Sequence, residues 1–409
     1  MADFNNSTFG FIGLGLIGGS IARAIRAYWP KAKIIAYNPS PDTIAEAVSD
    51  GVVSVGYSRD NVMKAGTEGA AAAEHPSEAE SAEGTLSDRV KGESVLSAER
   101  PFRGEWFDRC DFIFLCAPVQ KNAENLREIR GHLKDDAILT DIGSTKRDIL
   151  EHVEALGLGR WFIGGHPMTG SERTRYRNSK ATLLENAYYI ICPAKEVPQD
   201  KVRRFYDFVE GVRALPLVID GQFHDYAVGA ISHLPHVVSA ALVNLVKDSD
   251  SPDAVMHAIA AGGFKDITRI SSSSPEMWRQ ICLTNGDNIV KLLDQYIGSL
   301  EKIRASIKEK NPDNIYSFFD SARQYRNSFA ETHSGALNRS YSLNVDIEDR
   351  PASLAEVVTL LAVNSVSIKN IGITHNREYQ EGALHVEFYS ADDLEEAREI
   401  LTVRNYTLH

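Results

Sequence analysis

The chain has 409 residues, with 44 Lys and Arg against 56 Asp and Glu, a formal net charge of −12. That balance argues against a nucleic-acid binder, which carries a basic footprint. The length implies two or three domains, and 43% hydrophobic with 24% charged residues excludes disorder throughout.

The apolar stretch at residues 9–25 carries five glycines and no preceding basic region, so it reads neither as a signal peptide nor as a membrane span. Residues 8–12 form a β-prone run, a Gly-rich turn breaks it, and Ile17, Ile21, Ala24, Ile25 and Tyr28 recur at helical spacing until Pro30. Residues 33–37 make a second strand, and 111–117 and 137–142 two more, each followed by a helical pattern. This is the alternation of a parallel α/β sheet covered by helices. Between them, residues 66–100 are rich in Ala, Glu, Ser and Gly and hold little apolar surface, which reads as a flexible insertion.

From residue 198 the pattern turns helical up to 334, with long runs at 222–247, where Pro235 should introduce a kink, and at 275–308. After a polar stretch, residues 342–408 read strand, helix, strand, strand, helix, strand, a separate βαββαβ domain. The expected domains are 1–190, 191–334 and 340–409. The four cysteines, Cys110, Cys116, Cys192 and Cys282, show no metal-ligand or redox spacing, which suits a reducing cytoplasm and points to no metal.

Gly13-Leu14-Gly15-Leu16-Ile17-Gly18 is a G-x-G-x-x-G between a strand and a helix, the setting in which the motif binds a dinucleotide. Gly13 would permit the tight turn, Gly15 the approach of the pyrophosphate and Gly18 the close packing of helix on strand. The position that reads the ribose at the end of the second strand is Asn38. A carboxylate there would repel a 2′-phosphate and Asn does not, yet no Arg follows to hold one; the expectation is NAD, with NADP open.

Two histidine motifs follow. His166 should sit in a turn at the carboxyl edge of the sheet, after a strand at 161–164, where open α/β folds bind ligands. His236 lies beside the expected kink, eleven residues beyond Asp225, so an unbroken helix would put both on nearly one face.

Taken with Asp141-Ile-Gly-Ser-Thr-Lys146, His166-Pro-Met-Thr-Gly-Ser171, Ser232-His-Leu-Pro-His236, residues 262–269 and Trp278, the chain resembles bacterial prephenate dehydrogenases fused to a carboxy-terminal ACT domain. The resemblance covers nearly everything except residues 66–100. It implies a Rossmann-type nucleotide domain, an all-α domain that forms a homodimer, and a ferredoxin-like ACT domain. It also implies hydride transfer from prephenate to NAD with loss of carbon dioxide, giving 4-hydroxyphenylpyruvate for tyrosine biosynthesis.

By the same resemblance His166 would accept the hydrogen bond of the ring hydroxyl, Ser144 would orient that hydroxyl, and Arg269 would clamp a carboxylate through two parallel bonds. His236, Ser171, Gly262 and Trp278 would line the substrate pocket, while Asp225 and Asp266 would brace Arg269. Ala352 stands where an ACT domain usually has glycine, which leaves tyrosine binding there open. The alternatives are an arogenate dehydrogenase using NAD or NADP, and a silent sensor of dinucleotide and amino acid.

The acidic excess is localised. Residues 66–100 hold eight acids and three bases, and residues 340–409 hold twelve and five, so the expected catalytic body is formally neutral and open to an anionic cofactor and a dianionic substrate.

Overall fold

The structure, a computed structural model, describes residues 2–59, 62–64, 102–170, 174–332, 341–348, 350, 352–374, 382–388 and 390–408. The expected insertion at 66–100 and Ser171 lie outside the described residues. The chain divides into two compact units, Met1–Ile297 and Gly298–His409.

The first unit is built on a sheet of nine strands: β1 (Thr8–Ile12), β2 (Lys33–Tyr37), β3 (Val55–Tyr57), β4 (Val62–Lys64), β5 (Phe112–Leu115), β6 (Ile138–Asp141), β7 (Phe162–Pro167), β8 (Tyr188–Pro193) and β9 (Leu215–Val218). Their order is β4-β3-β2-β1-β5-β6-β7-β8-β9, parallel from β3 to β7. Because helices cover both faces, the central strands are apolar at nearly every position rather than at alternate ones. The register sets Phe9 beside Phe112 and Phe11 beside Phe114, and each pair stacks with ring centroids 5.0 Å apart. The covering helices are α1 (Leu16–Tyr28), α2 (Pro41–Ser49), α3 (Val119–Ile129), α4 (Arg147–Ala155) and α5 (Gln199–Gly211).

Two expectations need correction here. The sheet does not end near residue 190: β8 pairs antiparallel with β7, α5 packs Phe205 and Phe208 into the core, and β9 pairs parallel with β8. Residues 191–218 therefore complete the nucleotide-binding layer, because their apolar side chains bury against β5 and α1 rather than among later helices. His166 is also not in a turn. It is the penultimate residue of β7, paired with Ile190.

The helical part contains α6 (Gly221–Val228), α7 (Leu234–Ser249), α8 (Val255–Ile259), α9 (Gly262–Thr268), α10 (Pro275–Thr284), α11 (Gly286–Lys308) and α12 (Pro312–Thr332). Asp220 starts α6 by accepting from the amides of Gln222 and Phe223, and Ser274 starts α10 by accepting from Met277. Pro235 is the second residue of α7, and its missing amide is absorbed by a π-helical turn at Gly229–His233. The expected kink is therefore one wide turn inside a continuous helix. The expected run at 275–308 is two helices, broken at Asn285, whose side chain serves the site described below.

In the second unit β10 (Tyr341–Ile347), α13 (Ser353–Val363), β11 (Ile368–Thr374), β12 (Gly382–Phe388) and α14 (Ala391–Val403) form an antiparallel sheet in the order β10-β12-β11 under two helices. Leu343, Val345, Val357, Leu361, Leu384, Val386 and Leu401 bury between the two layers. The expected final strand contributes one antiparallel bridge, Leu408 to Val345.

Candidate active site

The turn between β1 and α1 has the geometry its glycines require. Gly13 has φ +92°, and a Cβ there would lie 2.7 Å from the Ala117 nitrogen. A Cβ on Gly18 would fall 2.9 Å from Cys116 Sγ, so α1 rests directly on the end of β5. Over Gly15 a Cβ would meet no protein atom within 4 Å, and no side chain caps α1. The first amides of this helix thus face open space, as a pyrophosphate requires. Asn38 Oδ1 accepts from the Leu14 amide at 3.1 Å, tying the end of β2 to the same turn.

At the carboxyl end of β7 a chain of polar groups runs inward. His166 Nδ1 lies 2.8 Å from His224 Nε2, and His224 Nδ1 lies 2.8 Å from Asp225 Oδ1. Asp225 also accepts from the amides of Lys146 and Arg147, both at 2.8 Å, where α4 begins. Beside this chain Lys146 Nζ is ion-paired with Asp141, both fully buried. Asp141 in addition accepts from Gly143 at 2.9 Å and Gly165 at 3.1 Å, which fixes the loop on either side of Ser144 and His166. Burial above all, then the Lys146 charge and the neighbouring His224 and His233, holds the His166 imidazole well below its usual range, so it is neutral at pH 7.

The third part of the site comes from the helices. His236 stacks on Trp278, ring centroids 3.9 Å apart, and its Nδ1 donates to the Ser232 carbonyl at 2.9 Å. His233 meets Asn285 Nδ2 at 3.0 Å, and Asn285 donates to the Asp225 carbonyl at 2.7 Å. Burial lowers His233 to about 4. The indole nitrogen of Trp278 is buried and makes no hydrogen bond among the described residues. Ser239 donates to the Ile267 carbonyl at 3.1 Å and bonds Ser271 at 2.6 Å, anchoring α9 and the turn that carries Arg269 onto α7.

Of the residues expected from sequence, His166 and Asp225 join one network through His224, and His236 pairs with Trp278. Ser144 is half-buried on the β6–α4 loop, Gly262 opens α9, and Asp266 and Arg269 are exposed at its end. Asp225 does not brace Arg269 through its described contacts; its two oxygens are committed to His224 and to α4. The π-helical turn bears on the other expectation for Asp225: its extra residue rotates His236 by about 100° from the face the two would share on a regular helix. His224, Lys146, Asp141 and Asn285 were not assigned from sequence, although the adjacent His224-Asp225 pair just after the Asp220 cap was a usable signal. A cleft of ≈ 610 Å³ between α4 and α6 is lined by Arg147, Glu151, Lys195, Gln222 and Asp225, but not by His166, Ser144, His236 or Trp278.

Comparison with known proteins agrees with this geometry. Residues 95–217 match the prephenate dehydrogenase nucleotide-binding domain, and residues 220–321 match the prephenate dehydrogenase dimerization domain. A prephenate dehydrogenase of Bacillus subtilis is 31% identical over 394 residues, 96% of this chain and 95% of that protein. One from Lactococcus lactis is 33% identical over 295 residues, 71% of this chain and 80% of that protein. Among solved structures, prephenate dehydrogenase from Aquifex aeolicus in complex with hydroxyphenyl propionate and NAD+ has a TM-score of 0.64 at 27% identity, covering 79% of this chain and 98% of that one. The boundary between the two matched domains falls where the sheet ends and α6 begins. With residues 95–217 and 220–321 both matched, and one relative aligned along nearly the whole length, the chain belongs to the prephenate dehydrogenase family.

Proposed function

We propose that the protein oxidises prephenate to 4-hydroxyphenylpyruvate with release of carbon dioxide, a step of tyrosine biosynthesis. The observation that carries this reading is a neutral, half-buried His166 at the carboxyl edge of the sheet, the same edge at which α1 starts with no side-chain cap and open space above Gly15. Those features fit NAD, with Gly13 to Gly18 and the first amides of α1 holding its pyrophosphate and Asn38 near the ribose. When bound, NAD would supply the acceptor for the hydride that leaves the ring carbinol carbon.

The chain's own residues handle the proton and the carboxylates. His166 Nδ1 is engaged by His224, so Nε2 is the nitrogen that accepts the proton of the ring hydroxyl as its carbon is oxidised. The bond to the ring carboxylate then breaks, its electron pair completes the aromatic ring, and the phenolate oxygen takes a proton back. Ser144 orients the hydroxyl, and Arg269 pairs with a substrate carboxylate. His236, Trp278, Gly262 and Ser171 border the substrate, with Asp266 beside Arg269.

The protein works as a homodimer. Ile231, Ile259, Ile267, Leu283, Tyr316 and Phe319 are exposed in the single chain and lie within the segment matched to a dimerization domain. The helix Gly221–Ser249 is long and apolar enough by composition to cross a membrane, with a mean hydropathy of 1.4. We assign its exposed apolar face to the second copy instead, in a cytoplasmic enzyme. Residues 341–408 are read as an ACT domain that binds tyrosine and lowers activity.

Assays with prephenate or arogenate, each with NAD or NADP and with tyrosine titrated in, test these points together. The expected result is turnover of prephenate with NAD, inhibited by tyrosine, and no inhibition after removal of residues 341–409. No turnover of either substrate would remove the reading.

A further inference from the structure

His224 and Asp225 form a built-in support for His166 that the family assignment does not specify. We propose that His224 is a positioning residue which fixes the tautomer of His166, leaving its Nε2 unprotonated toward the substrate; the proposal rests on the reading of His166 as the proton acceptor. Asp225 carries only lone pairs, so the His224 nitrogen 2.8 Å from it, Nδ1, must be the protonated one. If His224 is neutral, its ring then offers a lone pair at Nε2. That nitrogen lies 2.8 Å from His166 Nδ1, which must therefore carry its ring proton. With His224 neutral, this arrangement of hydrogens satisfies the chain and leaves His166 Nε2 as an acceptor.

Burial strengthens the case. His224 is 0% exposed and Asp225 1% exposed, so water cannot satisfy either ring nitrogen of His224. Asp225 is itself fixed by the two α4 amides, which removes its freedom to turn away. When His166 takes the substrate proton its new positive charge lies one imidazole away from the Asp225 carboxylate, and its Nδ1–H already points along that line. Among the described residues, the other charged and titratable groups near His166 are Lys146 paired with Asp141, His233 from the π-helical turn and Tyr189 of β8. Lys146, His224 and His233 all disfavour the imidazolium, and the Asp225 carboxylate, reached through the His224 ring, offsets part of that.

The test uses the full-length protein. His224→Phe keeps the ring volume and removes both nitrogens, and His224→Gln restores an acceptor oxygen within reach of His166 Nδ1. The expected result for His224→Phe is a fall in kcat of roughly a hundredfold or more, with KM for prephenate and the affinity for NAD unchanged, because only the proton-accepting step is impaired. His224→Gln should recover most of that loss. Nitrogen-15 spectra of labelled protein without substrate should show His166 protonated at Nδ1 alone in the wild type, and a mixture of tautomers in His224→Phe.

Wild-type kcat in His224→Phe, or a His166 protonated at Nε2 in the wild-type spectra, would overturn the proposal. If His224→Phe fails to fold, His224→Gln and the wild-type spectrum decide the matter. If the wild type does not oxidise prephenate, the functional reading fails while the spectra still answer the structural question.

Discussion

Replacing Lys146 by methionine keeps the length of a fully buried side chain and removes its charge. Asp141, 1% exposed, would then be an ionised carboxylate without its cation in the core of the sheet. Breaking a buried pair on one side costs about 3–5 kcal/mol, and the lower end applies because the amides of Gly143 and Gly165 remain on the carboxylate. A loss of about 3 kcal/mol in a unit of this size lowers the melting temperature by roughly 5 °C. Adding Asp141→Asn removes the stranded charge and should return part of that loss. Lys146 also lowers His166, so its removal should move the acid limb of kcat/KM to higher pH. Thermal melts of wild type, Lys146→Met and the double variant check the argument. An unchanged melting temperature for Lys146→Met, or a double variant less stable than the single by the full sum, would refute it.

Gly18→Ala should weaken NAD binding by roughly ten- to a hundredfold, since its Cβ would lie 2.9 Å from Cys116 Sγ; calorimetric titration reads this, and adding Cys116→Ala should restore part of it. Arg269→Ala should raise KM for prephenate far more than it lowers kcat, and an unchanged KM would take Arg269 out of the carboxylate site. Because folded His233 is lowered to about 4, the unfolded chain binds its proton first. Stability should therefore be steady above about pH 6.5 and fall as pH drops from there toward 4, with His166 extending the loss further; urea midpoints across that range check the sign. Ala352 holds φ 76° at the start of α13, a left-handed conformation that costs a residue with a Cβ about 1 kcal/mol. Ala352→Gly should stabilise the second unit by about that amount, and a lower midpoint would contradict the account.

The parallel strands and the glycine turn were legible because each depends on local signals. A short apolar run marks a buried strand, and only glycine suits the backbone at Gly13 or the contact at Gly18. The end of the sheet was not legible, since β9 is four residues long and contains Pro216, so its pattern does not stand out from the helices around it. The relation of Asp225 to His236 failed for a different reason. Spacing presumes 3.6 residues per turn, and the π-helical turn before Pro235 breaks that presumption in a way composition does not announce. His224 escaped notice because a histidine inside a helix is ordinarily a packing residue; its role depends on β7 and α4 arriving from far away in sequence. Ala352 is the converse case: its departure from glycine was visible in the sequence, and the structure adds that the backbone there is left-handed all the same.

The central claim is that His166 accepts the proton while the hydride leaves. Its most direct measurement is a single-turnover experiment on His166→Ala with prephenate and NAD, beside a separate titration of NAD binding. The account predicts that NAD binds as in the wild type while formation of NADH and 4-hydroxyphenylpyruvate falls by about 10²–10⁴-fold. Wild-type rates of product formation in that variant would contradict it.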